Sequence, residues 1–222
     1  MKAMIRFGKN PRLRFVSHLD LQRFFQRALN RTGLPIAFSQ GFNPHPVMSF
    51  ASALAMGWTS EYEVVEFGLE APVGKAAVEQ AVKASLPEDL PVLETRLVED
   101  RHPAPMAQVR MADYRIVLSG ADGESVLEAA EEFLNRGSVL AVRKTKSGER
   151  EIDVRPLAVL LAPMPGELRA RLMLTEKDTL KPDLLVKTLA QIAGVETPEV
   201  RIHRLTLLGQ DAAGNPQPLM KL

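Results

Sequence analysis

What most constrains the fold of this chain is a strand–helix–strand–strand–helix–strand order that runs through its first half and nearly repeats in its second. Ala3 to Phe7 reads as a strand. Ser17 opens a helix that runs to about Thr32, where Gly33 and Pro35 stop it. Ser17 and Asp20 have capping-box spacing, so each side chain can satisfy an exposed amide of the first turn. Leu21, Phe24, Phe25, Ala28 and Leu29 fall on one helical face and form a core stripe. Ile36 to Phe38 and Val47 to Ala53 read as extended, separated by the turn-rich SQGFNPHP. Tyr62 to Leu69 is a strand, Val73 to Leu86 a helix ended by Pro87, and Pro91 to Val98 a strand.

After the proline-containing stretch RHPAPMAQ, taken as a linker, the order returns. Tyr114 to Leu118 is a strand, and Glu124 to Asn135 a helix ended by Gly137. Val139 to Lys144 and Glu151 to Leu161 are strands around the turn KSGE, and Glu167 to Thr175 is another. Pro182 to Ala193 is a helix ended by Gly194, and Val200 to Leu208 the last strand. The expectation is an α+β protein of two tandem ferredoxin-like (βαββαβ) domains, residues 1–102 and 112–208, the second with an extra hairpin. Residues 209–222 are expected to be a frayed tail.

The chain contains no cysteine, which removes disulfides, thiolate metal sites, iron–sulfur clusters and cysteine nucleophiles. No apolar run approaches the roughly 20 residues that span a bilayer, and the start, MKAMIRFGKN, has no apolar signal core. A soluble, cytoplasmic protein with no membrane association is expected. No phosphate loop ending in GK[ST], no HExxH and no GxSxG occurs. The four histidines (His18, His45, His102, His203) are scattered, so no metal site and no cofactor is expected.

The near-neutral net charge of +1 hides an asymmetry. Residues 1–60 hold eight Lys or Arg against one acid, Asp20, a balance of +7; the rest, with 20 basic and 26 acidic side chains, carries −6. A polyanionic partner for the basic end is the expectation. Arg23, Arg27 and Arg31 recur every fourth residue, a ridge opposite the core stripe, and Arg12 and Arg14 extend it. Guanidinium groups in such a row can track a phosphate backbone, each offering a planar fork of donors. The plainer alternative is a solvated helix face.

Three further features could carry chemistry. His18 stands in a first helical turn, where the helix dipole disfavours its cation; it is read as a residue packed over the core edge, with a neutral base as the alternative. The loop Ser39, Gln40, Gly41, Phe42, Asn43, His45 is stiffened by Pro44 and Pro46 and is read as a binding loop, Phe42 suited to stacking. The hairpin VRKTKSGEREIDVRP offers Lys144, Lys146, Arg150 and Arg155 as further anion contacts, beside Arg143 and against Glu149, Glu151 and Asp153.

RFVSHLDLQRFFQRALNRTGLPIAFSQGFNPHPVMSFASALAMGWTSE, residues 14 to 61, resembles the signature of the radical-SAM-linked proteins, a family of unknown function, and RKTKSGEREIDVRPL, residues 143 to 157, resembles its second recurrent motif. Members of that family are fused to, or encoded beside, a radical S-adenosylmethionine enzyme, often near a ribonuclease of the G/E type and ribosomal-protein genes. The resemblance implies an accessory role beside such an enzyme, on RNA, and carries over no catalytic residue. This chain lacks the CxxxCxxC cluster ligands, so radical chemistry would belong to a separate polypeptide.

The leading expectation is therefore a non-catalytic module that binds RNA or an RNA-linked substrate for a separately encoded radical enzyme. One rival is a metal-independent endoribonuclease of the CRISPR repeat-processing type, an analogy of fold alone. It would use His18 or His45 as base and Arg23 or Lys144 to stabilise the phosphorane. The other rival is a protein–protein adaptor without RNA contact.

Overall fold

The computed structural model describes residues 1–120, 122–145 and 148–222. It is an α+β protein whose chain forms two compact units, Met1–Val109 together with Thr206–Leu222, and Arg110–Leu205.

The first unit begins with β1 (Lys2–Lys9) and α1 (His18–Arg31). Half of the expected capping box forms at the start of α1: the Ser17 side chain takes a first-turn amide, and the Asp20 carboxylate takes the Ser17 hydroxyl. Ser17 Oγ accepts the Asp20 amide at 3.1 Å and donates to Asp20 Oδ2 at 2.7 Å. The stripe is the buried face: Leu21, Phe25, Ala28 and Leu29 are inside, with Phe24 packed against them. Next come β2 (Met48–Phe50), β3 (Thr59–Gly68), α2 (Lys75–Ser85), β4 (Val92–Val98) and the one-turn α3 (Pro105–Gln108). β1 is central, antiparallel to both β3 and β4, and β2 adds to the other side of β3. The core gathers Phe7 of β1, Phe25 of α1, Phe50 of β2, Phe67 of β3 and Val78 and Val82 of α2. Ile36 to Phe38, expected to be a strand, makes only isolated bridges (Ile36 to Leu69, Phe38 to Pro46), because Pro35 and the loop interrupt any ladder. The expected linker ends in α3, with Pro105 buried.

The second unit is built from β5 (Met111–Ser119), α4 (Gly123–Asn135), β6 (Leu140–Thr145), β7 (Gly148–Asp153), β8 (Ala158–Met164), β9 (Glu167–Met173) and α5 (Pro182–Ala193). β9 lies between β5 and β8, antiparallel to both, while β6 and β7 form a separate two-stranded hairpin. The strand expected from Glu151 to Leu161 is broken into β7 and β8 by a 3-10 turn at Arg155–Leu157. Pro156 cannot donate to a ladder, and Asp153 Oδ1 accepts the amides of Val139 (2.9 Å) and Arg155 (3.0 Å), turning the chain. These two amide bonds hold the Asp153 carboxyl below the usual range.

β10 (Glu199–Gln210) runs out of the second unit into the first, followed by β11 (Pro216–Pro218), which pairs with its end. The expected frayed tail is therefore corrected. Leu219 and Met220 are 0% and 3% exposed, the Met220 amide donates to the Tyr62 hydroxyl at 3.1 Å, and an Arg96 guanidinium N–H donates to the Met220 carbonyl at 3.2 Å. Residues 211–215 form the turn between β10 and β11, with the Asp211 carboxylate accepting the amides of Ala213 and Asn215.

Candidate nucleic-acid interface

Of the eight cations in residues 1–60, three do not belong to any surface patch. Lys9 is 1% exposed; its Nζ donates to the carbonyls of Val16 (2.8 Å) and Arg14 (3.3 Å). Desolvation lowers its pKa, opposed by the buried Glu63 carboxylate. Lys2 lies 3.3 Å from Glu66, and Arg6 lies 3.2 Å from Glu94 and over the Tyr62 ring. Burial raises the Glu66 pKa while Lys2 pulls it down. The sequence shows these residues only as charge; their burial follows from β1 being a central strand.

The remaining five are exposed. Arg23, Arg27 and Arg31 all lie on the outer side of α1. Arg23 approaches Asp20 at 3.6 Å, an exposed pair that contributes little because water and salt screen it. Arg31 donates to the Ser85 carbonyl at 3.4 Å, and Arg12, 86% exposed, lies 3.7 Å from Asp89. The two ends of the group thus reach the last residue of α2 and the turn that follows it. The Arg14 guanidinium sits 4.5 Å above the exposed Phe15 ring. Lys9 fixes the carbonyls on either side of Phe15, which holds the segment leading into α1.

The loop from Ser39 to His45 is closed on itself. Ser39 Oγ accepts the His45 amide at 3.2 Å and bonds to His45 Nδ1 at 3.0 Å, while the Ser39 amide donates to the His45 carbonyl at 2.9 Å. Nδ1 is also 3.3 Å from the Asn43 carbonyl. Gly41 has φ +126°, which residues with a side chain rarely adopt. Gln40, Phe42 and Asn43 are exposed, and Phe42 projects its whole ring into solvent. His18 is half-buried, its ring edge-on to Phe50 at 5.2 Å.

In the second unit Lys144 faces Glu149 at 3.7 Å and Arg150 is exposed; Lys146 lies outside the described residues. Arg155, expected as an anion contact, has its guanidinium occupied elsewhere. Nε and Nη2 donate to the Leu134 carbonyl (3.2 and 2.9 Å) and Nη1 to that of Ala158 (3.4 Å), so it closes the end of α4. Among the described residues no three His, Asp or Glu are grouped to hold a metal ion, and no helix is long and apolar enough to cross a membrane.

These features define an α+β protein that carries a basic helix face and an exposed aromatic loop. The chain belongs to the family described as an uncharacterized protein conserved in bacteria (DUF2344), whose model matches residues 2–182. No curated protein matches the chain.

Proposed function

We propose that this protein is a non-catalytic RNA-binding module, each unit a variant of the ferredoxin-like pattern, acting in the cytoplasm as an accessory to a separately encoded radical S-adenosylmethionine enzyme. The observation that carries the RNA reading is the sorting of the basic end: Lys2, Arg6 and Lys9 are paired or buried, whereas Arg12, Arg14, Arg23, Arg27 and Arg31 remain outside. Phe42 adds a platform on which an unpaired base can stack. The pairing with a radical enzyme rests on the likeness of residues 14–61 and 143–157 to the radical-SAM-linked signature. The engaged His45 Nδ1 and the packed His18 ring favour structural roles for both histidines over the endoribonuclease reading.

Binding to single-stranded RNA, followed by filter retention or anisotropy, should weaken with salt at a log–log slope of about −0.7 per phosphate contact. Replacing Arg23, Arg27 and Arg31 together by Ala should flatten that slope by up to about 2. Absence of RNA binding at low salt, or an unchanged slope in the triple variant, would refute the proposal. Phe42→Ala should cost about 1–3 kcal/mol of RNA affinity and leave thermal unfolding unchanged. RNA cleavage in EDTA, lost in His18→Ala or His45→Ala, would install the endoribonuclease reading instead.

A further inference from the structure

The second unit contains a cleft of about 820 Å³ between the β6–β7 hairpin and α5, within the size range of ligand-binding clefts. One wall is β6, from Leu140 to Lys144; β7 contributes only Glu149. The other wall is the exposed stripe of α5, on which Asp183, Lys187 and Gln191 recur every fourth residue, with Leu184 beside them and Lys181 at the helix start. A bond from the Arg143 guanidinium to the Thr179 carbonyl ties the hairpin to the chain just before α5, so the cleft is formed without a ligand.

The edge of β6 facing this cleft is an open strand edge. Among the described residues β6 pairs with β7 alone, and the bond from the Val154 amide to the Val139 carbonyl fixes the alternation of the ladder. Residues 139, 141 and 143 bond across to 154, 152 and 150. The amides and carbonyls of Leu140, Val142 and Lys144 are then directed away from β7. This row of backbone groups is about 13 Å long, the span of a five-residue strand. Leu140 and Val142 are exposed apolar side chains on the same strand.

Charge completes the description of the occupant. Glu149 is opposed by Lys144, and Asp183 has a partner of its own. Lys181 and Lys187 are exposed and, among the described residues, have no ion-pair partner. The wall opposite the open edge is therefore positive.

We propose that this cleft takes an extended acidic segment of a partner protein, added as a strand to the free edge of β6. Its backbone pairs with Leu140, Val142 and Lys144. Its apolar side chains lie against Val142 and Leu184, and its carboxylates against Lys181 and Lys187. The donors and acceptors of a strand edge recur at the spacing of a peptide backbone, so an extended peptide can add to it as a further strand. This site is separate from the arginine face of α1, and supplies the protein contact that an accessory module needs.

Backbone amide exchange of the full chain, with and without a synthetic peptide alternating Glu and Val at up to millimolar concentration, tests the edge directly. The amides of Leu140, Val142 and Lys144 should slow, while those of Ala141 and Arg143, already bonded to β7, should not change. Val142→Pro removes an amide directed into the cleft and not into the hairpin, and Lys187→Glu reverses a charge on an exposed helix face. Each should weaken the peptide by about tenfold, the scale of one hydrogen bond or ion pair lost. The Arg23/Arg27/Arg31 triple Ala variant should bind the peptide as the parent does, which separates this site from the RNA reading. No slowing with the Glu–Val peptide, equal binding of a Lys–Val peptide, or stronger protection of the same amides by oligouridylate would overturn the proposal.

Discussion

Phe25→Ala should destabilise the protein by roughly 3–5 kcal/mol, read as a fall in the urea midpoint at unchanged m-value. Phe25 is 1% exposed and sits at the centre of an aromatic cluster, 4.8 Å from the Phe7 ring, 5.4 Å from Phe50 and 6.3 Å from Phe24. Removing it loses the transfer free energy of the ring and leaves a cavity that neighbours on three different elements cannot close together. Phe50 also carries the His18 ring, so the cavity opens under the first turn of α1. Arg27→Ala, two residues on and facing the exposed side, should stay within about 0.5 kcal/mol of the parent. The contrast separates the two faces of one helix, one for stability and one for binding. A change under about 1 kcal/mol in Phe25→Ala would show that α1 is not held by this stripe.

That helix was legible from sequence because its signals are local. The 3.6-residue stripe, the Ser17–Asp20 cap and the stop at Gly33, with its φ of +70°, all act within a few residues of the structure they specify. The same holds for α5, which ends at a left-handed Gly194. Where the reading missed, a distant partner or a side-chain turn decided. Residues 216–222 carry two prolines and look like a loose end; what orders them is pairing with β10 and two partners remote in sequence, the Tyr62 hydroxyl and Arg96. The run from Glu151 to Leu161 is rich in strand-forming residues, yet Pro156 interrupts it and one carboxylate, Asp153, collects two amides and bends it.

The candidate site divides in the same way. The α1 arginines lie on the exposed face that the i, i+4 spacing assigns to them, since spacing fixes the side of a helix. Counting charge over residues 1–60 overstated the patch, because a strand's neighbours determine which of its cations meet water. Lys9 and Lys2 lie on β1, and the acids beside them, Glu63 and Glu66, come from β3 some 54 and 64 positions away. Arg155 follows the same rule: its partners are the end of α4 and the start of β8. Lys181, which caps α5, and Lys187 within it are hard to associate with the hairpin from sequence because they stand 28 and 34 positions beyond its end at Asp153.

Lys9→Met should cost about 3 kcal/mol, although the side chains are of similar size and the site is buried, since it removes a buried cation that two carbonyls and the Glu63 carboxylate feel. Glu63 is 2% exposed, and with Lys9 gone it loses the cation whose field it feels. The carbonyls of Arg14 and Val16 lose their donor as well. Adding Glu63→Gln should recover part of the loss by removing the carboxylate that has lost the Lys9 cation, while the two carbonyls stay without the ammonium. The double variant should therefore regain stability but keep a looser segment before α1, visible as faster amide exchange at residues 12–16. The pH dependence gives a second readout. Burial lowers the pKa of folded Lys9 below its ordinary 10.5, so between the two values the unfolded chain binds more protons. This group alone makes stability rise as pH climbs through that interval, and Lys9→Met should remove the rise. An equal loss in the single and double variants, with the alkaline rise intact, would show that the ammonium is not coupled to Glu63 and that the segment carrying Arg12 and Arg14 is held by other bonds.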